Sequence, residues 1–262
     1  MDPSVPIFEQ TLGPLGLDVP PAGEARFEEL VTAYRERLRP GGALHINCMT
    51  TMAECRAALL AAQEAGCAPV WVSWACDGDG ESVTRVDMLA ALFVSEGMGA
   101  AAFGLNCAEH LSETQLSRLA PYASVPLFFV RQGQCELRPH VPVGRDPDVI
   151  PCATGTAPCF VTRTVDVGEE IECTPDLLED IIEAEDHPVG AVKIVLLEED
   201  DVEVFAQHQY AIQKALCLWS DVPELLEGAL RVYQGRAFYD GTGALDADVL
   251  QQLSQRYGLI VL

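Results

Sequence analysis

Apolar, β-branched runs alternate with segments of helical periodicity along most of the chain. Runs beginning at Ala43 ("ALHINC"), Pro69 ("PVWVSWAC"), Ala101 ("AAFGLNC") and Pro126 ("PLFFVRQ") are spaced by 26, 32 and 25 residues, the length of one strand-plus-helix unit. They are apolar at successive positions, as parallel strands buried on both faces must be. The rhythm returns at Ala191 ("AVKIVLL"), Ala215 ("ALCLWS"), Arg236 ("RAFYD") and Tyr257 ("YGLIVL"), spaced by 24, 21 and 21 residues. A first strand in "SVPIFEQ" (Ser4 to Gln10) brings the total to about nine, and "CFVTRTVDV" (Cys159 to Val167) supplies a tenth.

The segments between these runs carry helix signals. From Glu24 to Leu38, Phe27, Leu30, Val31, Tyr34 and Leu38 fall on one helical stripe, leaving Glu28, Glu29 and Arg35 towards water. Thr51 with Glu54, and Ser112 with Gln115, have capping-box spacing. Thr174 before Pro175, and Ser220 and Asp221 before Pro223, mark two later helix starts.

A Pro- and Gly-rich stretch, Arg138 to Pro158, interrupts the pattern. It divides the chain into a βα half over residues 1–137, a linker over 138–158, and further βα repeats over 159–262 that complete a barrel or form a small second lobe. The fold class is α/β. An eight-stranded βα barrel, incomplete or rearranged, is the expected architecture, with an open parallel sheet as the alternative.

Composition narrows the partners. Forty acidic residues against sixteen basic ones give a net charge of -24, which repels nucleic acid and anionic membrane surfaces. The N-terminus lacks a signal-peptide pattern and no apolar run approaches a membrane span, so a cytoplasmic protein is expected. Ten scattered cysteines without a CxxC pair read as reduced thiols.

No dinucleotide fingerprint, P-loop or nucleophile elbow is present, and "DGDGES" (Asp77 to Ser82) reads as a strand-to-helix loop. His45, inside an apolar strand, reads as a satisfied core histidine. Asp221, Asp240 and Thr242 follow strands and suit either an acidic pocket or caps and turns. "EEDDVEV" (Glu198 to Val204) reads as a solvated helix start.

Five motifs in order resemble the homocysteine S-methyltransferase family over about residues 11 to 135. "GPLGLDVPPAGEARFEELVTAYRERL" is similar to the family's third strand, loop and helix, and "INCMTTMAECRAALLAAQEAG" to the next strand end and helix. "PVWVSWACDGDGES" resembles its Pro-Val-x-Val-Ser strand, "AAFGLNC" its Gly-x-Asn-Cys strand end, and "LFFVRQGQ" stands where it carries Tyr-Pro-Asn-Ala-Gly.

The resemblance implies a TIM barrel in which zinc, held by thiolates, keeps the homocysteine thiol deprotonated for attack on an activated methyl group, yielding methionine. It implies Cys107 as a zinc ligand and Asn106 as its neighbour in the substrate pocket. Asn47 and Cys48 stand where the family has Glu-Thr, so the carboxylate for the substrate ammonium is gone and Asn47 takes its place. The adjacent Cys-Cys pair is absent too. Its nearest substitutes are Cys152 and Cys159 in "CATGTAPC", which are otherwise a buried thiol and a loop thiol, and His110 is an alternative ligand. The family's first two strands have no counterpart here.

Two functions follow as expectations. One is zinc-activated methyl transfer to homocysteine or another small-molecule thiol, from a methyl donor the sequence does not identify. The other is a non-catalytic, truncated relative that serves as scaffold or partner of a methyltransferase or corrinoid protein. Homo-oligomerisation is a further way to cover the missing strands.

Overall fold

The structure, a computed structural model, describes residues 5–16, 23–138, 146 and 148–262, without the side chains of residues 24 and 109–112. The alternation read from the sequence is present as two separate parallel sheets. The first half runs β1 (Gln10–Leu12), α1 (Glu24–Arg35), β2 (Leu44–Met49), α2 (Met52–Glu64), β3 (Val70–Ala75), α3 (Met88–Gly97), β4 (Ala102–Asn106), α4 (Glu109–Leu119), β5 (Leu127–Arg131) and β6 (Gln134–Leu137). Its strands lie in chain order, β1 to β5 parallel and β6 returning antiparallel beside β5.

A two-stranded hairpin, β7 (Ile150–Ala153) and β8 (Pro158–Val161), leads into the second half. There β9 (Val167–Glu172), α5 (Leu177–Asp186), β10 (Ala191–Val195), α6 (Asp200–His208), β11 (Ala215–Trp219), α7 (Pro223–Val232), β12 (Phe238–Tyr239), α8 (Ala247–Tyr257) and β13 (Ile260–Val261) form a five-stranded parallel sheet, again in chain order. Among the described residues no ladder joins the two sheets. The α/β class stands, and the described strands make two open sheets and not one closed ring of eight.

Each sheet buries one face under helices, and the helices of the two halves share a core. On α1 the expected stripe, Phe27, Leu30, Val31 and Tyr34, is buried. Every residue of α2 from Met52 to Ala62 is buried, as expected of a helix enclosed on all sides. It lies among α1, β2 and α3 of its own half, and the other half closes over these: α1 packs on α6 and α7, and α3 on α8. Glu28, expected to face water, pairs with Arg231 across this seam. Arg56, 1% exposed, donates to the Gly235 carbonyl at 3.0 Å and the Leu230 carbonyl at 2.6 Å.

The opposite faces are covered differently. In the second sheet Ala191, Ala215, Cys217, Phe238 and Ile260 lie under Cys152 and Val161 of the β7–β8 hairpin. In the first, Trp71, Ala102 and Phe128 meet Phe8, Val130, Cys135 and Leu137, so β6, paired beside β5, adds its own apolar side chains to that face.

Two capping boxes were expected from spacing. At α2, Thr51 Oγ1 accepts the Glu54 amide at 3.2 Å, but the Glu54 carboxylate takes the Leu15 amide at 2.6 Å and not the cap amide. At α4 the helix starts earlier, with Ala108 at the cap, and Gln115 donates instead to the Gly78 carbonyl at 2.7 Å. The side chains of Ser112 and His110 lie outside the described residues, as do residues 139–145 and 147 of the Pro/Gly-rich stretch and Ser4 of the first expected strand. The described end of that stretch carries β7. No helix among the described residues is long and apolar enough to cross a membrane.

Candidate functional site

In parallel βα structures, ligand sites gather at the carboxyl ends of the strands, where loops can vary without disturbing the ladder. At that edge of the first sheet stand Asn47 and Cys48 in the last residues of β2, Cys76 and Asp77 after β3, and Asn106 and Cys107 at the end of β4.

The β2 end is irregular. Ile46 pairs with Val72 and Met49 with Trp74, so β2 carries one extra residue, and Cys48 sits at φ 60°. Such a bulge re-aims side chains. Here it frees the Cys48 amide from the ladder, and Ser73 Oγ accepts it at 3.2 Å. Ser73 is fully buried, and its Oγ also lies 3.0 Å from Asn47 Oδ1 and 3.0 Å from His45 Nε2.

These contacts fix the protons. Asn47 Oδ1 can only accept, so the Ser73 hydroxyl hydrogen points to it. Ser73 then has only lone pairs for the Cys48 amide and His45, so Nε2 of His45 carries the hydrogen. Nδ1 is left as an acceptor and faces the Cys135 thiol at 3.8 Å. The ring is 5% exposed, stacked on Phe8 and edge-on to Phe128. Burial pushes its pKa down to about 4. His45 is the satisfied core histidine its strand position suggested, and it anchors a chain of polar groups running to the sheet edge.

That chain ends on Asn106, whose Nδ2 donates to Asn47 Oδ1 at 2.8 Å. The two asparagines taken from the family resemblance are therefore neighbours. With Asn47 Oδ1 receiving two hydrogen bonds, Asn47 Nδ2 and Asn106 Oδ1 are the amide atoms not used in this network. One is a donor and the other an acceptor.

Cys107 has a neighbour the sequence reading missed. Ala75 and Asn106 are in register and the Cys76 amide donates to the Asn106 carbonyl at 3.4 Å, so Cys76 and Cys107 stand side by side, each one step past its strand. The neighbouring Cys107, with burial and Asp77, pushes the Cys76 thiol far above its ordinary value. A signal was present: "VSWAC" and "GLNC" both place a cysteine one step past a strand.

Cys152 and Cys159 lie elsewhere. They face each other across the β7–β8 hairpin, against the second sheet, with Cys152 fully buried. Burial pushes Cys152 up to about 12 and raises Cys159. Among the described residues no three His, Cys, Asp or Glu side chains are grouped to hold a metal. A catalytic zinc takes three protein ligands; the described residues place Cys76 and Cys107 at this edge, and the side chain of His110, the alternative ligand, lies outside them.

The acidic pocket considered at Asp221, Asp240 and Thr242 resolves into structural roles. Asp240 Oδ1 accepts the Thr242 amide and hydroxyl, and Oδ2 pairs at 2.9 Å with Lys193, buried in the second sheet. Asp221 accepts the Ala244 amide at 2.7 Å. Asp77 closes the "DGDGES" loop by accepting the amides of Asp79 and Glu81.

With this geometry in view, the sequence model of the family described as homocysteine S-methyltransferase matches residues 4–135, about half of the chain, which takes in every strand of the first sheet up to the start of β6. No curated protein matches the chain.

Proposed function

The chain belongs to the homocysteine S-methyltransferase family, and on that premise we propose that the carboxyl edge of its first sheet holds a small amino-thiol, homocysteine, for methyl transfer to sulfur, with methionine as product. The observation that supports this reading is the Asn47–Asn106 amide pair beside Cys107. Asn47 Nδ2 suits the carboxylate of an amino acid and Asn106 Oδ1 its ammonium group. Orientation by such fixed groups turns binding energy into rate, because the sulfur lone pair must lie in line with the methyl carbon and its leaving group.

The Ser73–His45 chain holds the Asn47 amide in one orientation, so the pocket edge is set before substrate arrives. Zinc is the group the resemblance implies for keeping the thiol deprotonated. The other reading is that the chain partners a complete methyltransferase or corrinoid protein.

Turnover separates the two. Purified protein would be incubated with L-homocysteine and, in turn, a sulfonium, a quaternary ammonium and a methylcorrinoid donor, with methionine measured by mass spectrometry. Product from one donor class, lost in Cys107→Ser and reduced about ten-fold or more in Asn106→Ala, is the expected result. No methionine from any donor, with or without added zinc, leaves the partner reading in its place.

A further inference from the structure

Two pairs of cysteines face each other across neighbouring strands in this chain, and they differ in access. Cys152 and Cys159 are paired in the β7–β8 hairpin, but Cys152 is fully buried beneath it. Cys76 and Cys107 follow the last in-register pair of β3 and β4, the Cys76 amide donates to the Asn106 carbonyl at 3.4 Å, and both are partly exposed at the open edge of the first sheet. Neighbouring strands lie about 4.8 Å apart. That spacing falls inside the range of about 4.4–6.8 Å between Cα atoms that a disulfide spans, and both residues are reduced.

A thiol pair set side by side at an open sheet edge, at the spacing of neighbouring strands, has the layout of a dithiol couple. We propose that Cys76 and Cys107 form a thiol–disulfide exchange pair that reduces low-molecular-weight disulfides. One of the two, as thiolate, attacks a sulfur of the disulfide RSSR. A mixed disulfide forms and the displaced RS⁻ takes up the proton the cysteine lost. The second cysteine, as thiolate, then attacks the protein sulfur of that mixed disulfide. The Cys76–Cys107 bond closes, and the second RS⁻ leaves and is protonated in turn.

Two protein thiols lose two electrons, and RSSR becomes two RSH. Access decides which pair reacts, because exchange needs a free line of approach to the attacked sulfur. The released RSH is a small thiol, the substrate class proposed for the same edge. The exchange itself does not depend on methyl transfer.

The test uses the full chain in the presence of a chelator, with oxidised glutathione as the disulfide. Peptide mapping and intact mass should show loss of two hydrogens, a Cys76–Cys107 cross-link and release of two reduced glutathiones per chain. Cys76→Ser and Cys107→Ser should each abolish the cross-link, and one of them should retain glutathione as a stable mixed disulfide. Cys152→Ser should behave as wild type. Failure of the wild-type chain to form the cross-link overturns the proposal, as does a bond formed instead between Cys152 and Cys159. The readout is a covalent bond, so absence of methyl transfer leaves its meaning unchanged.

Discussion

Acidification should weaken this protein through His45 in a measurable way. The ring is buried, its Nε2–H donates to Ser73, and burial pushes its pKa down to about 4 from an ordinary 6.5. In the unfolded chain the imidazole returns to the ordinary value, so between those limits the unfolded state binds more protons. Stability from the neutral ring is therefore complete above pH 6.5 and is lost as pH falls towards 4. The shift of about 2.5 units corresponds to roughly 3 kcal/mol at full extent, and about 2 kcal/mol of it should be gone by pH 5.

Many carboxylates titrate over the same range, so the effect is read as a difference. His45→Gln keeps an N–H for Ser73 and does not titrate. Urea unfolding of both proteins at about pH 7 and pH 5 should show wild type losing about 2 kcal/mol more than the variant. NMR titration of the imidazole should give a pKa near 4. A value near 6.5, or an unchanged difference between the two proteins, would refute the neutral, buried assignment.

Other expectations follow from the seam and the bulge. Arg56→Ala leaves a cavity and two orphaned carbonyls, at Leu230 and Gly235; a loss of about 3–5 kcal/mol is expected in urea unfolding, and a loss below about 1 kcal/mol would show that Arg56 does not tie the halves together. Cys48→Gly relieves a non-glycine residue at φ 60° and should stabilise by about 0.5–1 kcal/mol by the same measurement. Gly235→Ala would place a methyl group 2.1 Å from the Ala153 carbonyl oxygen; it should lower the thermal midpoint by several degrees, because backbone on both sides of the Ala153–Arg236 bridge must move.

How much of this was legible in the sequence depended on burial. Strands enclosed on both faces, such as "VWVSWA" and "AVKIV", announce themselves as unbroken apolar runs. Strand β9, "VGEEIE", lies at a sheet edge with exposed carboxylates and carries no such run. The hairpin strand β7 was hidden in a stretch whose prolines and glycines signal loops, because it covers a sheet face and need not continue a ladder. Repeats spaced like barrel staves do not reveal whether their edges meet, so one chain pattern served two open sheets as well as one ring.

The site was legible in part for similar reasons. Asn47 and Asn106 were found as strand-end residues, and the structure joins them. Cys152 and Cys159 were grouped with Cys107 from the resemblance, whereas the hairpin carries them to the second sheet. Cys76 went unnoticed because its significance comes from β3 and β4 being neighbours in register, which linear spacing does not show. Likewise, nothing in "LHINC" and "VWVS" reveals that Ser73 and His45 steer the Asn47 amide; that follows only from the bulge.

The most direct measurement on the proposed site is calorimetric binding of L-homocysteine to the wild-type protein and to Asn47→Ala and Asn106→Ala. Saturable binding at one site per chain, weakened about ten-fold or more by each substitution, is the result expected if the amide pair receives the amino-thiol. Absence of binding to the wild type, or equal affinity in all three proteins, would contradict it.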